Sequence, residues 1–536
     1  MKTHKLILCL IIFIAFFLRF INLWDTPALN PDEAALGYNA YSLILTGKDE
    51  HGTSWPLHFK SFGDYKPGGY VYLAIPFVKI LGLNPLAVRL PNLILSILTI
   101  LFLYKLILIF SKNKKLALLS ATVLTLSPWH IHFSRGAWES QTALSFIIIG
   151  TYFFFKSIQK KFLPNFSLFV IFYVLSLYCY HSARIIAPLL ALTLIILYFQ
   201  FLIKKIPQIF IPIIIGLAFI IPVAVSFLHN GGTTRFGGVG LTADQGPIWR
   251  ANELINQHTN SNQLSRIIHN KKILYLISWG QKYSSHFNPN FLFIDGDEVP
   301  RSKIPEMGQL YLIELPFLIL GVIFILKSKF FSSKVKKFIF SFLFIAPLAS
   351  SLTFQAPSAL RSLPLTIPLS ILTTGGIYYL LELLKKYSKI LIPLIIIAYL
   401  YSGAYYLDSY FLHYQKRYPF AWEYGFDQLV PYLESQKNQY ENIYITNKYD
   451  QPYILFLFFS KYPPAQIQSQ IKLTPPDNFG FSTVLNYDNY HFGKIEWDTI
   501  PNNSLIVSSD EEIPGIPFKI INSPNQKPAF KLYQKI

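Results

Sequence analysis

The sequence predicts a mainly α-helical membrane protein of many spans, followed by a small α/β domain. Of the 536 residues, 52% are hydrophobic and 14% are charged, whereas a soluble chain carries about 25% charged residues. The hydrophobic residues are gathered in long runs, and the polar residues are confined to a few segments between them. Lipid as the solvent of the apolar faces accounts for both features.

The apolar runs cover most of the first 407 residues. Runs of near-spanning length lie at 6–23, 92–110, 116–133, 141–155, 165–180, 185–203, 209–228, 309–327, 338–355, 362–383 and 390–407. A further apolar segment, 70–83, is short for a spanning helix, which needs about 20 residues. If this segment does not cross the membrane, the sequence predicts about eleven spans. If it does cross and another apolar run splits into two spans, the sequence predicts about thirteen.

The positions of the lysines orient these spans. Clusters lie at residues 2–5, 112–115, 156–161, 204–205, 327–337 and 385–389, each beside or between apolar runs. Cytoplasmic loops of membrane proteins are enriched in lysine and arginine, so the clusters predict a cytoplasmic N-terminus in a multi-pass protein of the cell membrane. The formal net charge is +19, but a nucleic-acid-binding protein would gather its cations on one soluble domain. The pattern therefore predicts no nucleic-acid partner.

Three long polar segments fall on the side opposite the lysine clusters. They are a first outer loop, 24–69, a large outer loop, 229–308, and the tail, 408–536. Within the first loop, residues 31–46 predict an amphipathic helix that ends at Gly47. The tail contains apolar strands at 442–446 and 504–508 between helix-like segments. We therefore expect a transmembrane domain over residues 1–407 and an extracytoplasmic α/β domain over 408–536.

The first outer loop carries the most informative polar residues. Asp32 and Glu33 begin the predicted helix, where carboxylates either stabilise the helix N-terminus or, if partly desolvated, serve as a general base. Lys66 follows Asp64 and precedes Pro67 and two glycines, which let a ligand approach the backbone. A lysine at this boundary either binds an anionic headgroup or extends towards the membrane interface.

Further ionisable residues interrupt or border the apolar runs on the same predicted side. Such residues are costly at membrane depth and point to function by default. They are Arg89, His132, Arg135, Glu139, His181, Arg184 and Arg361. Arg135 and Glu139 would pair with each other if the segment were helical. Asp295 and Asp297 flank a glycine, a pattern typical of a turn.

Metal and disulfide chemistry has little support in the sequence. His130 and His132 lack a third ligand at a spacing suited to zinc, which leaves a divalent cation open without assigning its ligands. Cys9 and Cys179 lie in separate apolar runs near opposite membrane faces, so they form no disulfide framework. The expected site therefore depends on carboxylates and cations.

The ordered motifs resemble those of a known family. After the first span come Asp32-Glu33, then Lys66-Pro67, then Val88-Arg89-Leu90-Pro91, then Ser127-Pro128 with Ser134-Arg135. In this order, over roughly residues 6–410, they resemble the C-type (GT-C) membrane glycosyltransferases of family 39. That family includes protein O-mannosyltransferases, the aminoarabinose transferase of lipid A and galacturonosyl transferases. Many relatives continue the lysine turn with two prolines, whereas this chain has Pro67-Gly68-Gly69.

The resemblance implies a reaction and assigns roles to several residues. The donor would be a polyprenyl-phosphate sugar, and the acceptor a hydroxyl group of a lipid, glycan or protein on the extracytoplasmic face, with inversion at the sugar. Asp32 would be the catalytic base with Glu33 as its partner or substitute, and Lys66 would bind the phosphate. Arg89 would be a structural or phosphate contact. Asp64, with the other ionisable residues named above, completes the predicted substrate-binding set.

A multi-span transporter or lipid flippase is the alternative. Such proteins also combine many spans with a few charges in the membrane. They often contain internal repeats and place their charges near the midplane of broken helices. Here the unusual charges lie in loops and no repeat is evident, so the enzyme is the favoured interpretation.

Overall fold

The computed structural model describes residues 2–229, 240–258, 263–477 and 480–536. Two stretches of the predicted large outer loop, 230–239 and 259–262, thus lie outside the described residues. The chain separates into two compact units. We call Met1–Phe16, Ser96–Phe133 and Ser140–Tyr406 the helical unit, and Phe17–Leu95, Ser134–Glu139 and Leu407–Ile536 the mixed unit. The mixed unit combines the first outer loop with the tail, and the expected domain division at residue 407 stays a prediction.

Helices dominate the described part of the chain, as predicted. The α-helices are Lys2–Phe20, Pro31–Thr46, Gly69–Leu81, Pro85–Ser111, Lys114–Leu126, Pro128–Ser134, Glu139–Gln159, Phe162–Leu177, Ala183–Leu202, Ile206–His229, Gly246–Asn256, Gln263–Ile268, Lys271–Ser285, Glu314–Lys327, Ser333–Ile345, Leu348–Ser351, Thr366–Leu383, Ser388–Asp408, Tyr414–Arg417, Phe426–Gln436, Pro452–Ser460 and Pro464–Gln470. The predicted class, a mainly α membrane protein with an α/β tail, is confirmed.

Several of these helices are long and apolar enough to cross a membrane. Among the described residues, six stretches meet that description: Thr3–Phe20, Pro85–Ser111, Glu139–Gln159, Ala183–Ser226, Leu363–Leu383 and Lys385–Arg417. A bent pair, Lys114–Leu126 with Pro128–Ser134, adds a seventh if it is one span. Ala183–Ser226 covers two of the predicted runs, and other runs form helices shorter than 18 residues. The chain is therefore a multi-pass protein, and the number of eleven to thirteen spans stays a prediction.

Glycines set the closest helix packing in the helical unit. A Cβ atom at Gly321 would lie 1.9 Å from the carbonyl oxygen of Leu372, and one at Gly376 would lie 1.9 Å from that of Phe317. Any side chain at either glycine would push the two helices apart. Small residues at such contacts are typical of helix pairs in membranes, where close approach replaces the hydrophobic effect.

A six-stranded sheet forms the centre of the tail. The strands of this sheet are β3 (Asn442–Thr446), β4 (Asn486–Tyr487), β5 (Tyr490–Gly493), β6 (Ser504–Ser508), β7 (Lys519–Asn522) and β8 (Pro528–Lys535). Two earlier strands, β1 (His58–Ser61) and β2 (Asp64–Pro67), form a separate hairpin in the first outer loop. The order is β4-β5-β3-β6-β8-β7, with β3 parallel to both β5 and β6 and the other pairs antiparallel. The two strands predicted from sequence are β3 and β6, with the predicted bounds.

The helix Pro31–Thr46 is the centre of the mixed unit. Its bounds and its end at Gly47, where φ is 68°, agree with the prediction. It is not amphipathic, however, because the helices Gly69–Leu81 and Pro452–Ser460 pack against it and most of its residues are buried. At Gly37, a Cβ atom would lie 2.5 Å from the Val88 side chain. The tail thus covers the face that the sequence pattern leaves to solvent.

Candidate active site

Asp32 and Lys66 form an accessible ion pair in the mixed unit. Asp32 lies in the first turn of the helix Pro31–Thr46, and Lys66 lies on β2. The Lys66 ammonium donates a hydrogen bond to Oδ1 of Asp32. The Asp32 side chain is 44% exposed, whereas the Lys66 side chain is 18% exposed. The pair therefore brings a carboxylate and a cation to a surface that a ligand can reach.

The β1–β2 hairpin places Lys66. Lys66 stands opposite Phe59 in the antiparallel register, and the turn contains Phe62 and Gly63, both with positive φ. The Lys66 nitrogen lies 4.7 Å from the centre of the Phe62 ring, within reach of a cation–π interaction. A Cβ atom at Gly63 would meet Ser482 at 2.8 Å. The turn therefore requires glycine both for its backbone conformation and for space.

Glu33 and Arg89 form a second ion pair, and this one is sealed from solvent. Both side chains are 3% exposed or less. Arg89 Nε and Nη2 donate to the two Glu33 oxygens at 2.8 and 2.7 Å, in the fork geometry typical of arginine and carboxylate. Glu33 also accepts from the backbone N–H of Ala137 at 2.8 Å and completes a capping box with Asn30. Its hydrogen bonds thus hold the first turn of the helix Pro31–Thr46, which we call the Asp32 helix.

Arg89 and Arg135 also hold the chain that precedes this helix. Arg89 donates to the carbonyl oxygens of Leu23, Pro27 and Ala28, at 2.9, 2.9 and 3.1 Å. Arg135, 1% exposed, donates to the carbonyl oxygens of Leu18, Ile21 and Thr26 at 3.1, 2.6 and 3.3 Å, and its guanidinium lies over the rings of Tyr410 and Phe411. Both guanidinium groups point into the protein, which favours a structural role over a phosphate contact.

A cavity of about 530 Å³ in the mixed unit is lined mainly by residues of the first outer loop and of the tail. Its lining includes Asp25, Ala28, Glu423 and Asp427. Burial and the nearby Asp25 carboxylate raise the pKa of Asp427. The three carboxyl groups make this cavity unfavourable for an anionic ligand.

The other two predicted residues of the mixed unit lie at the starts of secondary-structure elements. Asp64 begins β2, and its Oδ1 accepts from the backbone N–H of Tyr65 at 2.8 Å. Glu139 begins the helix Glu139–Gln159 and is half-buried. The preceding helix ends at Ser134, so the helical spacing needed for an Arg135–Glu139 pair is absent.

The remaining predicted residues lie in the helical unit. His132 Nε2 is 2.8 Å from the carbonyl oxygen of Arg301. Arg184 and His181 contact each other, with 3.4 Å between Nη1 and Nδ1. Arg361 donates to the carbonyl oxygen of Gln355 at 3.1 Å. These side chains contact other groups of the protein, and their roles as substrate ligands stay predictions.

Asp297 is a structural residue of the helical unit. It is 1% exposed, and its carboxylate accepts from the backbone N–H groups of Val299 and Ala359 at 2.9 and 2.6 Å. Burial raises its pKa despite these hydrogen bonds and the nearby Arg361. The turn predicted around Gly296, where φ is 71°, thus has a carboxylate that anchors the segment before Arg361.

A metal centre is not evident in the part of the chain that the structure describes. Within that part, no group of three or more His, Cys, Asp or Glu side chains could hold a metal ion. Cys9 is exposed, Cys179 is buried, and both are free thiols. The divalent cation left open by the sequence therefore stays without assigned ligands.

Glu50 is a buried carboxyl group that was not predicted as a site residue. Glu50 lies in the first outer loop, is 0% exposed, and is hydrogen-bonded to Asn39 of the Asp32 helix. The run Asp49-Glu50-His51 was the available sequence signal. Three polar residues after a helix are typical of an exposed loop, so burial was the information that the sequence lacked.

Comparisons with known proteins agree with this architecture. No family model matches the chain, and no curated protein matches it by sequence. Among solved structures, the apo oligosaccharyltransferase of Archaeoglobus fulgidus superposes with a TM-score of 0.50 and 13% identity, over 85% of this chain and 64% of that one. Its complex with Zn and sulfate gives the same TM-score and identity, over 85% and 61% of the two chains. ArnT from Cupriavidus metallidurans, solved bound to undecaprenyl phosphate, has a TM-score of 0.42 and 8% identity, over 85% and 84%.

The similarity to the archaeal oligosaccharyltransferase defines the fold of the protein. The chain is a multi-pass membrane protein with the fold of the GT-C glycosyltransferases. It spans less than two thirds of the length of the archaeal oligosaccharyltransferase. At this level of identity the likeness concerns the fold, and function must be argued from the site.

Proposed function

We propose that the protein is a membrane glycosyltransferase that moves a sugar from a polyprenyl-phosphate donor to an acceptor hydroxyl group. The observation that carries the proposal is the accessible pair of Asp32 and Lys66, held on a buried support of Glu33 and Arg89. The acceptor is a lipid, a glycan or a protein. The site faces the extracytoplasmic side in this proposal, and the lysine clusters in the opposite loops support that orientation.

Lys66 binds the phosphate in this proposal. In the structure its ammonium pairs with Asp32, and an incoming phosphate group competes for the same charge. Once Lys66 turns to the phosphate, the Asp32 carboxylate is available to the acceptor. Lys66 then stabilises the negative charge that develops on the departing phosphate, which is the charge that grows in the transition state.

Asp32 is the general base. It takes the proton of the acceptor hydroxyl while the acceptor oxygen bonds to the anomeric carbon of the sugar. The bond between that carbon and the phosphate oxygen breaks, and its electron pair stays on the phosphate. A single in-line displacement of this kind inverts the configuration of the sugar.

Glu33 and Arg89 act as positioning residues. Because the Glu33 carboxylate accepts from Arg89, Asn30 and Ala137, it is poorly placed to accept a substrate proton. Its hydrogen bonds fix the turn that presents Asp32. A small displacement of this turn would reduce the rate, because catalysis depends on the alignment of base and acceptor.

The test is transfer by the purified protein in nanodiscs. We expect polyprenyl phosphate to be released from synthetic polyprenyl-phosphate sugars when an envelope extract supplies acceptors, with mass spectrometry as the readout. The Asp32→Asn variant should bind undecaprenyl phosphate without releasing product. Full activity in both Asp32→Asn and Glu33→Gln would contradict the base assignment. Movement of intact donor across sealed vesicles without cleavage would favour the flippase alternative.

A further inference from the structure

An apolar groove of about 520 Å³ lies between three helices of the helical unit. The helices are Phe162–Leu177, Ala183–Leu202 and Ile206–His229, which we call the first, second and third groove helices. The side chains that line the groove are aliphatic or aromatic, and the polar atom among them is the Tyr173 hydroxyl, which lies 2.8 Å from the Thr151 hydroxyl. The groove therefore offers a ligand mainly hydrocarbon contacts.

The packing of the helices gives the groove a fixed shape. A Cβ atom at Gly216 of the third groove helix would lie 2.9 Å from Cγ1 of Val170 in the first. The Tyr178 hydroxyl, just after the first groove helix, donates to the carbonyl oxygen of Phe219 in the third. These contacts hold the first and third groove helices against each other along the groove. A chain that fills the groove gains many dispersion contacts without displacing a helix.

The length of the groove matches one leaflet of a membrane. Between Phe166 and Leu177, which both line it, the first groove helix advances by about 16 Å at 1.5 Å per residue. The hydrocarbon core of a bilayer is about 30 Å thick, so one leaflet contributes about 15 Å. The groove therefore fits the acyl chain of a phospholipid, whereas a polyprenyl chain is much longer than the groove.

Two lysines mark one end of the groove. A 3₁₀ turn that contains Lys204 and Lys205 joins the second groove helix to the third. Ile203 and Ile206, directly before and after this pair, both line the groove. The Lys205 nitrogen lies 6.0 Å from the centre of the Phe162 ring, at the start of the first groove helix. The two cations thus lie where the first groove helix begins and the second ends.

The positive charge at this end is not balanced by nearby carboxylates. Lys161 directly precedes the first groove helix, and the Lys334 nitrogen lies 4.8 Å from the centre of the Tyr198 ring in the second. No Asp or Glu lies within five residues of these two lysines, or of Lys204 and Lys205, in the sequence. The ion pairs found in the described part of the chain do not include these four lysines. This end therefore attracts an anion.

We propose that the groove and the turn with Lys204 and Lys205 bind one anionic phospholipid of the leaflet that the lysines face. One acyl chain lies in the groove, and the phosphate group lies at the two lysines. Every bilayer lipid has acyl chains, so the groove accepts the chain and the lysines select the headgroup. Basic groups beside spanning helices attract anionic lipids in this way. The site is independent of the proposed transfer reaction, because it uses neither Asp32 nor Lys66.

The test measures lipid binding to the full chain in detergent by native mass spectrometry. The probes are phosphatidylglycerol, which is anionic, and phosphatidylcholine, which has no net charge, with identical palmitoyl and oleoyl chains. We expect wild type to bind phosphatidylglycerol more tightly. The double variant Lys204→Gln, Lys205→Gln should bind it roughly 25-fold more weakly, at about fivefold per lysine. The double variant Lys385→Gln, Lys386→Gln loses the same charge from another 3₁₀ turn and should keep the preference.

A second pair of variants tests the groove itself. Ala191 lines the groove from the second groove helix. Ala191→Trp places a ring where the acyl chain is expected, so it should weaken the binding of both lipids several-fold. Leu192→Trp is the matched control, because Leu192 is the next residue, is 51% exposed and is not part of the lining. Its binding of both lipids should stay near that of wild type.

Each outcome supports or overturns the proposal. Equal affinity of wild type for the two lipids, or an equal decrease in both double lysine variants, overturns selection by Lys204 and Lys205 and leaves only non-specific lipid contact. Unchanged binding in a folded Ala191→Trp variant overturns the role of the groove. Displacement of phosphatidylglycerol by an equal concentration of undecaprenyl phosphate would assign the groove to the lipid donor instead. If Ala191→Trp does not fold, the lysine variants decide.

Discussion

Two ion pairs one residue apart in the sequence have opposite surroundings. Asp32 and Lys66 are partly exposed, whereas Glu33 and Arg89 are buried with almost no contact with solvent. The Asp32 carboxylate can exchange its partner for a ligand. The Glu33 carboxylate is enclosed by donors from three segments of the mixed unit. Two pairs of a carboxylate and a cation thus differ in which partners are available to them, because one pair is exposed and the other is buried.

The largest expected effect comes from breaking the exposed pair at its carboxylate. Asp32→Asn removes the base while keeping the shape of the side chain, and general-base catalysis contributes roughly 10²–10⁴-fold in rate. We expect a loss of transfer of this size, measured as release of polyprenyl phosphate. The unfolding temperature should stay near the wild-type value. A variant that loses stability together with activity would mean that Asp32 supports the fold.

Breaking the buried pair of Glu33 and Arg89 should mainly reduce the stability of the protein. Glu33→Ala leaves Arg89 buried without its carboxylate, which costs about 3–5 kcal/mol in comparable proteins. We expect a marked decrease in unfolding temperature in detergent. Glu33→Gln retains the capping box and should lose less. A Glu33→Ala protein as stable as wild type, yet inactive, would place Glu33 in the chemistry and remove the contrast between the two pairs.

The cation of the exposed pair should affect donor binding. Lys66→Met removes one charge-assisted hydrogen bond to phosphate, worth about 1.5–3 kcal/mol, or roughly 10- to 150-fold in affinity. The dissociation constant of undecaprenyl phosphate measures this loss. Lys60→Met is the matched control, because Lys60 lies on the other strand of the same hairpin, opposite Tyr65. An equal loss in both variants would indicate a general effect of charge.

The smallest effect is expected where both partners are well exposed. Lys494 and Glu496 lie 3.0 Å apart with side chains 77% and 54% exposed. Exposed pairs contribute about 0–1 kcal/mol, so Lys494→Ala should leave the unfolding temperature and the transfer rate almost unchanged. The decrease in unfolding temperature of the Glu33→Ala variant, measured in the same experiment, provides the scale for this comparison. A large change here would show that burial is not the property that separates the pairs.

Much of the fold could be predicted because its signals are local. The apolar runs, the helix from Pro31 to its end at Gly47 and the strands β3 and β6 follow from hydropathy, capping and alternation. The ordered motifs from Asp32-Glu33 to Ser134-Arg135 also predicted the GT-C fold. Asp32 and Lys66 were both candidates, although their pairing joins residues far apart in the chain.

The sequence by itself determined which groups are present and on which side of the membrane they are expected. The family resemblance preferred Asp32 to Glu33 as the base, but the sequence could not show which of the two is buried, or that Glu50 is buried, because exposure is a property of the packed chain. The tail that covers the Asp32 helix and the hairpin that carries Lys66 decided those environments. Only the tertiary structure separates a reactive carboxylate from a structural one, since desolvation and hydrogen bonding arise from residues distant in sequence.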